Sequence, residues 1–149
     1  MGRHQMADGV SRASFDGEAE NGFVRLRDPL GVTTFGINKL VLARGQRNLI
    51  HRHKHQEEVY LVLEGTLTLI VEGEPEDVDA GEAVRLAPQV RRQLVNRGPG
   101  ELTLLALGGM VSHEHVPRDG EAFASWEDTE PTPRDQVQRP GPLPESELR

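Results

Sequence analysis

Short runs in which apolar and polar residues alternate fill the middle of the chain, about residues 23–108. Successive side chains of a strand point to opposite faces of a sheet, so a period of two predicts strands that bury one face. Residues 59–63 are apolar throughout, which predicts a strand buried on both faces. The other runs lie at residues 34–41, 66–71, 84–86, 94–95 and 102–107.

Turn sequences that contain glycine separate these runs, at residues 44–45, 64–65, 72–75, 79–81 and 97–100. Many short strands at this spacing predict an all-β sandwich or barrel. No long stretch of this region has the period of a helix. The predicted β-domain covers residues 22–126.

The two ends of the chain differ from the middle. Residues 1–21 are polar and without period, and residues 127–149 hold five of the ten prolines. Segments with few large apolar side chains do not bury enough surface to offset the entropy lost on ordering. We therefore predict a flexible N-terminal segment and a flexible, Pro-rich tail. A proline-rich recognition segment is the alternative for the tail, and a solvated tail is favoured over it.

Phe123 and Trp126 lie between the β-domain and this tail. Their spacing of three suits one turn of helix or a hook that pins the chain to the barrel wall. We expect them to act as a C-terminal clasp of the domain.

Composition narrows the classes of function. The chain has 149 residues, no cysteine and a formal net charge of −7. The lack of cysteine excludes thiolate metal sites and cysteine nucleophiles, and fits a cytoplasmic location. An acidic chain without a basic stripe is a poor binder of nucleic acid. No apolar run approaches the roughly 20 residues that cross a membrane. We expect no nucleic-acid or membrane partner, and a small-molecule ligand.

One group of residues is a candidate functional site: His51, His53 and Glu58. Histidines two apart on a strand point to the same face, and a glutamate at the start of the next strand can meet them after a tight turn. Two imidazoles and one carboxylate on one side of a metal leave positions open for water, oxygen or substrate. This spacing predicts a site for a divalent transition metal.

The same residues belong to a longer pattern that begins at Gly45 and ends at Gly65. Five residues separate Gly45 from His51, and one residue separates His51 from His53. Four residues separate His53 from Glu58, and six separate Glu58 from Gly65. This pattern resembles the first motif of the cupin superfamily. The resemblance implies a double-stranded β-helix (a jelly-roll barrel) with both histidines and the glutamate directed inward. It also implies a bound metal such as iron, manganese, nickel or zinc, and a homodimer that pairs through its sheets.

The second cupin motif is degraded. Gly81 and Asn96 align with its ends, but Ala87 and Gln89 stand where a proline and a glycine are expected. Arg92 stands at the place of the fourth metal ligand, and a guanidinium has no lone pair to give a metal. Three interpretations remain open: Arg92 anchors an anionic substrate, pairs with Glu58 in place of the metal, or faces solvent.

Other candidate ligands fit less well. His55 continues the alternation but falls in the turn, so we expect an exposed loop histidine. Glu57 adjoins Glu58 and should face the opposite way. His113 and His115 form a second pair with no well-spaced carboxylate except Asp119, and we interpret them as surface residues.

Three functions remain open after this. The first is a metal-dependent enzyme, such as an oxygenase or isomerase, acting on a small and anionic organic substrate. The second is a non-catalytic module that binds or senses a small molecule, with or without metal. The third is a storage or structural protein, which an intact metal triad disfavours.

Overall fold

The computed structural model describes residues 4–17, 19, 22–109 and 118–149. These ranges contain twelve strands, one α-helix and two single-turn 3-10 helices, Arg134–Gln136 and Glu145–Glu147. The bounds of the other elements, in chain order, are β1 His4–Ala7, β2 Val10–Arg12, β3 Phe23–Arg25, α1 Arg27–Leu30, β4 Phe35–Leu42, β5 Ile50–His53, β6 Glu57–Glu64, β7 Thr66–Val71, β8 Glu74–Asp79, β9 Ala83–Leu86, β10 Arg92–Val95, β11 Leu102–Gly109 and β12 Gly120–Phe123.

Ten of these strands form two five-stranded antiparallel sheets. The first sheet has the order β12-β5-β10-β7-β8, and the second has the order β3-β4-β11-β6-β9. From β4 to β12 the chain crosses repeatedly from one sheet to the other. This arrangement confirms the predicted all-β fold class, a double-stranded β-helix. Strands β1 and β2 pair separately as a small two-stranded sheet.

The hydrophobic core lies between the two sheets. Leu67, Leu69 and Leu94 enter it from the first sheet, and Val62 and Leu104 enter it from the second. Each of the five is at most 2% exposed. Burial of one such side chain contributes about 1.5–3 kcal/mol, so the alternation seen in the sequence is what holds the two sheets together.

Strand β6 corrects one prediction. Residues 59–63 are apolar throughout, yet only alternate residues are fully buried: Tyr60 and Val62 are each 2% exposed, whereas Leu63 is 47% exposed. The expectation of burial on both faces was wrong, because the outer face of the second sheet is partly open to solvent.

Gly65 and Asn96, both motif positions, have structural roles in the loops. Gly65 joins β6 to β7 with a φ of +79°, and a Cβ there would lie 2.5 Å from the carbonyl oxygen of Glu101. Asn96 donates hydrogen bonds to the carbonyls of Leu42 and Gly100, at 2.8 and 2.9 Å. These contacts explain both residue types without reference to chemistry at the site.

The predicted clasp at Phe123 is a strand rather than a turn of helix. Strand β12 pairs with β5 at the edge of the first sheet, and Phe123 is 3% exposed. The guanidinium carbons of Arg52 and Arg91 lie 4.9 and 5.3 Å from the centre of its ring. Arg91 also lies 5.8 Å from the centre of the Trp126 ring.

The tail, residues 127–149, lies along the barrel, where the sequence predicted a solvated segment. The N–H of Leu143 donates to the carbonyl of Gly45 at 2.8 Å, and the N–H of Thr132 donates to that of Ala122 at 2.7 Å. Leu143 is 8% exposed. Backbone hydrogen bonds and one apolar anchor thus hold a segment with few large apolar residues. The mobility of this tail, and of residues 1–21, stays a prediction.

Candidate metal centre

Two neighbouring elements bring the predicted site residues together. His51 and His53 lie on β5, two residues apart, so their side chains share a face. Glu58 is the second residue of β6, in the opposite sheet, and residues 54–56 form the turn between the strands. The short turn lets the last part of β5 and the first part of β6 face each other across the barrel.

The three side chains converge on one point. The Nε2 atom of His53 lies 3.2 Å from Oε1 of Glu58, and the Nε2 atom of His51 lies 3.9 Å from it. One ligand atom from each of the three residues lies within 4.8 Å of the other two. The side chains are 13–20% exposed. This spacing and partial burial suit a single metal ion held from one side.

The protonation state of His51 fits a metal ligand. Burial lowers its pKa to about 4, against a smaller raising effect of the Glu58 charge. The ring is therefore neutral near pH 7. Its Nδ1 atom lies 2.9 Å from the carbonyl oxygen of Leu49, which places the one hydrogen of the neutral ring on Nδ1. The lone pair is then on Nε2, the atom that faces Glu58.

Glu58 is ionised and held by two further donors. Burial alone would raise its pKa, but the hydrogen bond with His53 and the nearby positive charges lower the pKa to about 2. The Tyr60 hydroxyl donates to Oε1 at 2.8 Å, and Arg92 donates to the same oxygen at 2.9 Å. Burial and the Glu58 charge raise the pKa of Tyr60, so its hydroxyl keeps its proton.

Arg92 is entirely buried, with 0% of its side chain exposed. It lies opposite His51 in the pairing of β10 with β5. Its Nη2 atom pairs with Glu58, and its Nη1 atom donates to the carbonyls of Pro88 and Val90. The solvent-facing interpretation is wrong, because neighbouring strands enclose the side chain. Of the three interpretations, the structure contains the ion pair between Arg92 and Glu58. A role for Arg92 in substrate binding stays a prediction.

The other candidate ligands lie outside this cluster. The carboxylate of Glu57 points outward and pairs with Arg85. The His55 side chain is 69% exposed and contacts Asp119. His113 and His115 lie outside the described residues. Sequence reasoning missed Tyr60, although its position two residues after Glu58 on one strand was a usable signal.

A cavity of about 270 Å³ lies elsewhere, between strands β5 and β12 and the tail. Ile50, Gln93, Phe123 and Val137 are among its lining residues. None of the three cluster residues lines it, so this space and the candidate metal centre are separate features.

The fold and the site together define a class: a double-stranded β-helix protein with an inward cluster of two histidines and a glutamate. The sequence family described as "Cupin domain" matches residues 38–108. Residues 38–108 are therefore a cupin domain. Among the described residues, no helix is both long and apolar enough to cross a membrane.

Three similar proteins extend this comparison. A crystal structure of a cupin protein from Bacteroides fragilis has a TM-score of 0.63 at 23% identity, over 72% of this chain and 90% of that one. A structure from Acidithiobacillus ferrooxidans, provisionally named a sugar phosphate isomerase, has a TM-score of 0.56 at 25% identity, over 60% of this chain and 58% of that one.

The third is an uncharacterized protein of Methanocaldococcus jannaschii, 30% identical over 69 residues. That match covers 46% of this chain and 55% of the relative, so the chain spans just over half the length of the curated relative that it matches.

Proposed function

We propose that the protein binds one divalent transition metal ion through His51, His53 and Glu58, and binds or acts on a small anionic organic molecule beside it. One observation carries this proposal: the three side chains converge with their ligand atoms within 4.8 Å of one another. Their charge states, a neutral imidazole at His51 and a carboxylate at Glu58, are those that ligands require. Iron, manganese, nickel and zinc all accept such donors.

The residues around His51 and Glu58 would fix the orientation of these ligand side chains. The Leu49 carbonyl orients the His51 ring through Nδ1, and Tyr60 and Arg92 hold the Glu58 carboxylate through Oε1. A bound metal of this kind supplies Lewis-acid or redox chemistry. The chain's own part is to fix the donors before binding, which lowers the entropic cost of assembling the site.

Charge balance supports an anionic ligand. Glu58 and Arg92 neutralise each other in a buried pair 2.9 Å apart. A dication added to this pair leaves net positive charge in a partly buried site, even when the nearby carboxylate of Asp119 is counted, and this is costly unless an anion joins it. The similar protein from Acidithiobacillus ferrooxidans, whose provisional name refers to a sugar phosphate, agrees with this ligand class.

Arg92 would act on that anion mainly through its charge. Its Nη1 and Nη2 atoms already donate to Pro88, Val90 and Glu58. Its Nε–H has no partner among the described residues but is buried, so direct contact with a ligand carboxylate, the substrate-binding role predicted from the sequence, requires the ligand to reach that buried group.

A second candidate function is a metal-free module that binds or senses a small molecule. The Arg92–Glu58 pair favours it, because the guanidinium supplies the positive charge that a metal otherwise gives the carboxylate. The two candidates differ in one measurable property, the metal content of the purified protein.

We also propose that the protein is a homodimer. Apolar residues on neighbouring strands share the outer face of the second sheet, since Leu107 pairs with both Ile37 and Val59, and Leu105 pairs with Leu61. All five are partly exposed. We call these five residues the outer apolar face. A second copy covering it would remove this surface from water.

The test is elemental analysis of untagged protein grown with a controlled metal supply. We expect bound metal in the wild type and in the control His55→Ala, and none in the double variant His51→Ala/His53→Ala. Addition of acetate at a fixed free metal concentration should tighten metal binding, and neutral acetamide should not. Equal metal in wild type and double variant would refute the metal site, and equal effects of acetate and acetamide would refute the anionic ligand.

A further inference from the structure

Asp119 is a buried acid beside the candidate metal centre, with 1% of its side chain exposed. Its Oδ2 atom accepts the backbone N–H groups of His55 and Gln56, at 2.9 and 2.8 Å. Burial would raise its pKa, but these two donors lower the pKa below its usual range. The protein therefore holds a negative charge at this place.

The residues that Asp119 holds form the turn between the two ligand-bearing strands. The backbone contributes as well, since the N–H of Lys54 donates to the carbonyl of Asp119 at 3.0 Å. His53 ends β5 just before this turn, and Glu58 follows it on β6. The separation of His53 from Glu58 thus depends on contacts made by Asp119.

The His53 ring lies between two carboxylates. On one side its Nε2 atom is 3.2 Å from Glu58, and on the other its Nδ1 atom is 3.5 Å from Oδ2 of Asp119. Nδ1 is buried and makes no hydrogen bond to the described residues. A buried polar atom without a hydrogen-bond partner is destabilising, so this atom requires a partner.

Histidine chemistry identifies that acceptor. A neutral imidazole has one N–H and one lone pair. When Nε2 gives its lone pair to a metal, Nδ1 carries the hydrogen, and ligand histidines commonly donate that hydrogen to a carboxylate. Oδ2 of Asp119 lies on this side of the ring, a few tenths of an ångström beyond hydrogen-bond distance.

We propose that Asp119 is a positioning residue for the metal centre: it accepts the Nδ1–H of His53 and directs Nε2 of that ring toward the metal. The inference rests on the proposed metal function. It gives the carboxylate of Asp119 two roles. The carboxylate orients the ring of His53, and it holds the turn that leads from His53 to Glu58.

The variant Asp119→Asn separates these two effects. An amide oxygen in the place of Oδ2 keeps both backbone hydrogen bonds of the turn, but it offers the His53 N–H only a neutral and weaker acceptor, because the negative charge is lost. The matched control is His55→Gln, which removes the exposed imidazole that contacts Oδ1 of Asp119 at 2.9 Å. Each full-length protein is stripped of metal with a chelator and titrated with cobalt(II) in competition with a second chelator.

Cobalt-loaded protein also allows the ring N–H protons of the ligand histidines to be followed by proton NMR. We expect Asp119→Asn to weaken cobalt binding by about 10- to 100-fold and to shift the His53 signal. The His51 signal, held by the Leu49 carbonyl, should stay in place as an internal reference. The melting temperature of the metal-free variant should stay close to that of wild type, and His55→Gln should change none of these.

Unchanged affinity and an unchanged His53 signal in Asp119→Asn would overturn the inference. So would a large drop in metal-free melting temperature with no change in that signal, which indicates a purely structural role. A wild-type protein that takes up no cobalt would instead defeat the proposed function itself.

A crystal structure of the cobalt-loaded wild type needs no variant. The distance from Nδ1 of His53 to Oδ2 of Asp119 should shorten to about 2.7–3.2 Å, the range of a hydrogen bond. A distance that stays at 3.5 Å or grows would also overturn the inference.

Discussion

Arg92 pairs with Glu58 inside the barrel, at 2.9 Å, with no part of the arginine side chain exposed. The arginine stands where the second cupin motif has its fourth metal ligand. It contributes a fixed positive charge to the site in place of a lone pair. The site therefore differs from a four-ligand metal centre in both ligand number and charge.

The variant Arg92→Met should destabilise the metal-free protein by about 3–5 kcal/mol, because the largely buried carboxylate of Glu58 loses its oppositely charged partner. The double variant Glu58→Gln/Arg92→Met should lose less than the sum of the two single variants. Urea unfolding measures all three. The control is Arg85→Met, which breaks the exposed pair with Glu57 and should cost only about 0–1 kcal/mol. Additive losses would show that the buried pair is not coupled.

Stability of the metal-free protein should fall as the pH is lowered. The pKa of His51 is about 4 in the folded protein and 6.5 ordinarily, so the unfolded chain binds more protons between these values. The loss should be on the order of 3 kcal/mol from pH 6.5 to 4. Glu58, with a folded pKa of about 2 against an ordinary 4.5, should add a further loss below pH 4.5.

Urea unfolding at pH 5 and pH 7 measures the first part of this dependence. His51→Gln, which removes the titrating ring, should flatten the dependence between pH 4 and 6.5. An equal slope in variant and wild type would show that His51 does not titrate as its burial indicates.

Leu107→Asp should convert a dimer to a monomer, because it places a charge at the centre of the outer apolar face. Light scattering at micromolar concentration measures the mass. Val10→Asp is the control, since Val10 is 48% exposed but lies on β2, which is not a strand of the second sheet. A wild type that is already monomeric would contradict the dimer.

Leu143→Ala should lower the melting temperature if the tail is fixed along the barrel, by an amount equivalent to about 2–3 kcal/mol. Pro142→Ala, at the neighbouring exposed position, should change it little. If the tail is fixed, hydrogen exchange of the Leu143 N–H should also be slow, because this group donates to the carbonyl of Gly45. No loss and fast exchange would support the flexible tail that the sequence predicts.

The amino-acid sequence was sufficient to predict the fold class and the convergence of His51, His53 and Glu58. Strand alternation is a local property with a period of two, so residues two apart face the same way in any sheet. A short turn then limits where Glu58 can lie. These local rules also predicted the outward direction of Glu57 and the exposure of His55.

Only the tertiary structure decided the surroundings of that cluster. Arg92 meets Glu58, 34 residues away, and Asp119 meets His55, 64 residues away, because strands distant in sequence pair in the same barrel. The partly open outer face of β6 and the path of the tail were decided in the same way. Which strands become neighbours depends on the packing of two whole sheets, and no local pattern of apolar and polar residues encodes it.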